Sequence, residues 1–271
     1  MDLLRFSNRF YAVLCVALLT VPVVCLGQQQ SAVQGAGETK LRDSKVEDES
    51  ESELYTHPDY QTRNVQGWTV LVHEQLLKGK KAETEKAIRL LEEQLQVIQK
   101  RVPAKAVDHL QSVKLWFSPK YDGSRPGAEY HPGAGWLERN GRIPELVKCV
   151  EFTNVDIFEK ECVRMPMLAL HELAHAYHDQ VLGFEHAGIR STFDEAAKSG
   201  IYDTVERWFG PHRKNTREKA YGITNHKEYF AEGSEAFFGR NDFFPFTKQE
   251  LERHDPKFAK LLAQLWGIAD E

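Results

Sequence analysis

The chain has 271 residues, of which 41% are apolar, 28% charged and 11% aromatic, and its formal net charge is −5. That is the composition of an ordinary globular protein, with enough apolar material for a sizeable core in one domain or at most two small ones. The acidic balance argues against a nucleic-acid binder, which would carry a basic excess in clustered Lys and Arg.

Residues 1–27 have the layout of a secretory signal peptide. Arg5 and Arg9 supply a basic start, an apolar run follows from Phe10 to Leu26, and small residues at Cys25 and Gly27 set cleavage before Gln28. An uncleaved anchor is the competing reading, because the run approaches the length that spans a thin bilayer. Export implies a secreted or periplasmic protein with no membrane association once the signal is removed. Cys149 and Cys162 are then the cysteines of the mature chain; a single pair in an oxidising compartment is expected to form a disulfide, and two buried free thiols are the alternative, because sequence spacing does not fix geometry. Residues 28–54 are rich in Gln, Ser, Gly, Glu, Asp and Lys and poor in aromatics. They bury too little to offset ordering entropy, so they are expected to form a disordered linker or short propeptide ahead of a domain over residues 55–271.

Within that domain, Trp68–Val72 is β-branched and aromatic and reads as a strand. From Lys81 to Arg101 the apolar residues Ile88, Leu91, Leu95, Ile98 and Val102 recur at gaps of three and four, which predicts a helix ended by Pro103. Val113–Phe117 is a second strand, and Pro119 to Gly127 a turn-rich loop. Short strands are expected at Glu129–Tyr130 and Trp136–Leu137, and another at Cys149–Phe152. A helix opens at Pro166 and runs to Leu182, with Gly183 as its stop. Thr192 and Glu195 have capping-box spacing for a helix reaching Phe209. Residues 212–220 are a polar loop. Further helices are expected over Lys227–Phe238 and Lys248–Trp266, separated by a turn from Gly239 to Phe246. A small sheet followed by a helical half makes the fold class α+β.

His171-Glu172-Leu173-Ala174-His175 is a His-Glu-x-x-His motif inside the helix from Pro166. Residues four apart share a helix face, so both imidazoles can hold one zinc ion, and Glu172 beside them can take a proton from a zinc-bound water. The bland reading is a core helix whose histidines have separate hydrogen-bond partners. His178, three residues past His175, lies on a partly different face and is assigned a supporting or surface role. A catalytic zinc needs a third protein ligand, and a later helix offers Glu228, Glu232 and Glu235 on one stripe among Tyr229, Phe230, Phe237 and Phe238. Carboxylates on so apolar a helix need a partner. An exposed acidic face is the alternative.

The run Tyr221-Gly222-Ile223-Thr224-Asn225-His226-Lys227-Glu228-Tyr229-Phe230-Ala231-Glu232, with the His171–His175 motif, resembles the segments that build the zinc site in the protease domain of anthrax lethal factor and its relatives. The resemblance covers those two stretches only. It implies a zincin-like (gluzincin-like) fold: a small mixed sheet packed on an active-site helix, with a helical C-terminal lobe across a cleft. It implies Glu228 as third metal ligand and Tyr221 as the hydroxyl that stabilises the oxyanion. It puts Glu232 one turn on, where a contact orienting a liganding histidine is expected. Gly233-Ser234 departs from the pattern, since a better helix former is expected there. The implied activity is zinc-dependent endopeptidase chemistry on a protein or peptide substrate, with one Zn2+ per chain. Two other functions fit the same motif: a zinc-stabilised protein that binds peptides or polymers without cutting, and a metal-dependent hydrolase of a non-peptide amide.

N-terminal sequencing of the exported protein should begin at or near Gln28. A mature chain that still starts at Met1 and fractionates with membranes would establish the anchor instead.

Overall fold

The computed structural model describes residues 57–268, all within the unit Glu51–Glu271; the expected signal peptide (residues 1–27) and the expected linker (residues 28–54) lie outside the described residues. The chain enters through a hairpin, β1 (Tyr60–Val65) and β2 (Trp68–His73), paired antiparallel in register Val65↔Trp68. Its two turn residues, Gln66 and Gly67, have φ of 52° and 84°. Positive φ at both positions is the turn geometry whose twist matches paired strands. Sequence reasoning does not find β1, because its central residues are polar and edge-exposed and Gln-Gly is a weak hairpin signal.

Three helices cross from β2 to β3 (Leu115–Phe117): α1 (Glu74–Gly79), α2 (Lys81–Arg101) and α3 (Ala104–Gln111). The α2 stripe Ile88, Leu91, Leu95 and Ile98 is buried as its period requires, and the helix gives out at Val102 before Pro103. β4 (Ala128–Tyr130) and α4 (Ala134–Arg139) precede β5 (Val150–Phe152). The sheet order is β1-β2-β3-β5-β4; β2, β3 and β5 are parallel, and β4 is an antiparallel edge. The α+β expectation therefore stands, with a five-stranded mixed sheet.

Both faces of the sheet are covered, which explains why its inner strands are nearly continuous apolar runs. Val70, Val72, Leu115, Phe117, Val150 and Phe152 face the main core. Leu71 and Trp116 face a second cluster formed by Leu137, Leu146 and Cys149. Trp136–Leu137 is thus not a strand: it lies in α4, and two residues are too few to reveal a period. Cys149 belongs to the outer cluster, whereas Cys162 on α5 (Phe158–Arg164) packs against the main core and accepts from Gln94 Nε2 at 3.0 Å. The sheet separates them, both are free thiols, and the expected disulfide is not formed.

The second half is helical. α6 (Leu168–Tyr177) continues as one π-helical stretch, His178–Leu182, and ends at Gly183, whose φ is 77°. α7 runs Ala187–Ser199, not from Thr192 to Phe209. Thr192 lies mid-helix and bonds back to the Gly188 carbonyl at 2.8 Å, while the His186 side chain caps the start by accepting from Ile189 N. The Thr-x-x-Glu spacing also arises inside helices, and here it misled. The hairpin of β6 (Val205–Arg207) and β7 (Thr216–Glu218) follows where that helix and a loop were expected. α8 (His226–Phe238) starts at Asn225, whose side chain accepts from the Lys227 and Glu228 amides. The expected last helix divides at Asp255-Pro256 into α9 (Lys248–His254) and α10 (Pro256–Leu265), with proline in the first turn of the second.

The Gly233 anomaly has a packing explanation. A Cβ there would land on the Phe258 ring and within 3.1 Å of Leu262 Cδ1, so glycine admits α10 against α8. Gly233→Ala should lower unfolding stability by about 1–3 kcal/mol through overpacking, less the ~0.5–1 kcal/mol that alanine gains in helix propensity. Urea denaturation measures the balance, and an unchanged or raised midpoint would show that α10 is not seated against this position.

Candidate metal centre

α6 and α8 pack together, and nearly every residue of both is buried. The interface brings His171 and His175, one turn apart on α6, against Glu228 in the first turn of α8. The three facing atoms form a near-equilateral triangle. His171 Nε2 lies 3.2 Å from His175 Nε2 and 3.2 Å from Glu228 Oε2, and His175 Nε2 lies 3.4 Å from Glu228 Oε2. Ligands at 2.0–2.1 Å in tetrahedral directions sit ~3.3 Å apart, so one small cation fits the triangle. Glu228 Oε2 is buried without a hydrogen-bond donor among the described residues. An unsatisfied buried carboxylate oxygen beside two imidazole nitrogens is costly unless a cation completes the set.

His171 is fixed from its other side. Its Nδ1 lies 2.7 Å from Glu235 Oε1, and this pairing turns Nε2 toward the triangle. This corrects the expectation for Glu232, whose Oε2 instead accepts from Asn241 Nδ2 at 2.9 Å. Helical geometry gives the reason. Seven residues turn an α-helix by ~700°, so Glu235 returns to within ~20° of Glu228, and Glu232 is displaced by ~40°. The imidazole of His171 therefore lies between Glu228 and Glu235, and Glu232 points toward the segment after α8. The wheel offset was readable from the sequence; the height of α6 against α8 was not.

The charges are compensated locally. Burial works against a charged His171, but the carboxylates of Glu228 and Glu235 outweigh it and hold its pKa well above the ordinary value. Burial would raise Glu228, and the His175 and His171 imidazoles reverse this, holding it below the usual carboxylate range. Glu232 is pushed well up, by burial first and then by the charges of Asp242 and Glu235. Asp242 receives Arg164 Nη1 at 2.8 Å. His171, Glu232 and Glu235 also offer ligand atoms within 4.8 Å of one another, but His171 Nδ1 and Glu235 already satisfy each other there.

Glu172 lies on the sheet side of α6, where its Oε2 accepts from Tyr130 N on the edge strand β4 at 2.9 Å. β4 is braced from its far side by the buried carboxylate of Glu151, the register partner of Glu129. Glu151 accepts from Tyr121 OH at 2.7 Å, pairs with His131 Nε2 at 3.1 Å and with Arg142 Nη1 at 3.4 Å. This brace and the Tyr130 amide are site features that sequence reasoning missed, since no local pattern marks them. Tyr221 opens the short turn before α8 and is 41% exposed. Burial of its hydroxyl, then the Glu228 charge, push its pKa up to about 12, so it stays a donor. His178 is a core residue and not a surface one: its ring packs against Phe184, His226 and Phe230. Burial, then the neighbouring His226 and His175, bring its pKa down to about 3, so it stays neutral.

No protein-family model matches this sequence, and no curated protein or solved structure matches it either. The chemistry of the centre is therefore argued from its own geometry.

The geometry ranks the three glutamates by their effect on metal affinity. Glu228→Ala should remove most of it, Glu235→Ala should weaken it about 10–100-fold, and Glu232→Ala should change it least. Zinc dissociation constants at one fixed pH measure this ranking. Unchanged affinity in Glu235→Ala beside a loss in Glu232→Ala would reverse the assignment.

Proposed function

We propose that this protein is a secreted, zinc-dependent endopeptidase of zincin-like architecture, holding one Zn2+ through His171, His175 and Glu228. The observation that carries the reading is the combination at one place: a triangle of donors at tetrahedral spacing, and a carboxylate, Glu172, pinned to the open edge of a sheet. A structural metal site needs no such carboxylate.

The edge strand supports a polypeptide substrate. β4 pairs with β5 through alternate main-chain groups, including His131 N to the Cys149 carbonyl and Thr153 N to the Gly127 carbonyl. The main-chain groups of Ala128 and Tyr130 then face away from β5, and the Tyr130 amide is the one that meets Glu172. An extended peptide can add there as a further strand, held by main-chain hydrogen bonds that any sequence can make. Zinc, when bound, supplies Lewis acidity and brings the pKa of a coordinated water down to about 7. Glu172 takes the proton of the attacking water and passes it to the leaving amine. The Tyr221 phenol, protonated across the physiological range, donates to the oxygen that gains charge. Glu235 keeps the Nε2 lone pair of His171 turned inward. Export to the outside of the cell or the periplasm remains part of the proposal. Among the described residues no helix is long and apolar enough to cross a membrane.

A mixed peptide library offered to the zinc-loaded chain tests the reading against a non-cutting binding protein and against a hydrolase of non-peptide amides; an uncleaved library would sink it. Glu172→Gln should keep zinc stoichiometry and lower turnover by about 10²–10⁴, because the amide preserves shape and cannot accept the proton. Near-normal turnover in that variant would remove Glu172 from the role of base.

A further inference from the structure

The β6–β7 hairpin is a basic projection on an acidic protein. Between Val205 and Lys219 it carries five cations, Arg207, Arg213, Lys214, Arg217 and Lys219, against two acids, while the whole chain has a net charge of −5. The two acids are engaged: Glu206 receives Asn215 and Glu218 lies 3.5 Å from Arg207. The hairpin base is anchored, with Trp208 N donating to the Asp242 carbonyl at 2.7 Å and Phe244 N to the Glu206 carbonyl at 2.8 Å. Its tip is exposed and unneutralised. Neither Arg213 nor Lys214 makes an ion pair with a described acid, and Arg217 has only the Thr204 carbonyl, at 3.0 Å.

Aromatic rings hold two of these cations, Arg207 and Arg213, in place. Arg213 lies 4.2 Å from the centre of the Phe209 ring, and Arg207 lies 4.8 Å from the same ring. Arg240 lies 4.8 Å from Trp208. Stacking occupies the flat face of the Arg213 guanidinium and leaves its N–H edge free, the edge that pairs two-pronged with a carboxylate, whereas the edge of Arg207 is already turned to Glu218 and Asp242. Preorganised donors of this kind lose less freedom on binding than free surface lysines do. The chain from the hairpin runs straight into the proposed centre: Lys214 and Tyr221 are seven residues apart, an extended reach of at most ~25 Å.

We infer that this hairpin is a docking surface for an acidic segment of the substrate polypeptide, about seven residues or fewer from the bond to be cut. The inference rests on the peptidase reading for its role and on the hairpin alone for its binding. Carboxylate-rich sequence beside the cut site raises the effective concentration of the substrate at the cleft and speeds encounter, an effect that salt screens.

Two measurements on the full chain separate the claims. In the first, anisotropy of labelled decaglutamate reads binding without catalysis. The triple variant R213E/K214E/R217E should weaken it at least tenfold, the milder R213Q/K214Q should weaken it less, and rising salt should weaken it in the native chain. Binding that the variants leave unchanged overturns the proposal. So does binding of heparin with none of decaglutamate, which would assign the surface to sulfated polysaccharide. In the second, a peptide cleaved by the protein is extended by five glutamates or five glutamines. The glutamate form should show a KM at least fivefold lower at equal kcat, and the triple variant should erase the difference at unchanged zinc content. Equal KM values in the native chain overturn the proposal. If neither peptide is cut while decaglutamate binds through the hairpin, the peptidase reading fails and the anionic docking surface stands.

Discussion

Helices α6 and α8 are buried on almost every side and meet along the line where their ionisable residues lie, and this juxtaposition constrains everything else in the site. A helix that is apolar nearly all round belongs in a core. Putting His171, Glu172, Glu228, Glu232 and Glu235 on such helices forces charge into the interior. Each group must find a partner or give up its charge. His171 is met on both nitrogens, Glu228 is held charged by two imidazoles, and Glu232 is driven toward the neutral acid. Glu228 Oε2 and Glu235 Oε2 are left without a hydrogen-bond partner among the described residues, and of the two it is Glu228 Oε2 that faces both imidazoles. A cation is the simplest object that completes it.

The second requirement is that Glu172 keep its distance from this cluster while staying beside it. It does so by bonding to the backbone of a neighbouring element. An amide nitrogen cannot change rotamer, so the Tyr130 bond fixes the carboxylate as firmly as β4 itself is fixed. β4 is only three residues long and pairs on one side, so its rigidity has to come from elsewhere. The buried carboxylate of Glu151 supplies it, gathering Tyr121, His131 and Arg142 from the segment that covers the outer face. Arg142 lies 3.3 Å from the centre of the Tyr121 ring, which closes that cover.

Much of this was legible in the sequence, and the gaps have physical causes. Long periodic segments declared themselves: α2 has the predicted limits, and the helix carrying His171 and His175 stops at Gly183 as expected, though its last turn is π-helical. The meeting of His171, His175 and Glu228 followed from spacing and resemblance together. What spacing could not give was relative height. The choice between Glu232 and Glu235 depends on how far α6 sits along α8, and that is set by contacts such as Phe258 lying over Gly233. Short elements failed for a different reason. Trp136–Leu137 has too few residues to distinguish a strand from a turn of helix, and β1 is too polar to look like a strand without its partner. The Cys149–Cys162 expectation rested on compartment alone, and a sheet lies between the two thiols.

The open edge of β4 also bears on how the protein behaves in concentrated solution. A strand edge that accepts one extended chain does not distinguish a substrate from the edge of another copy, and unprotected edges are where folded proteins begin to associate. Here the edge is short, one of its amides is occupied by Glu172, and Glu129 gives it a negative charge that two copies brought face to face would share. These features guard the edge against pairing with another copy of the chain.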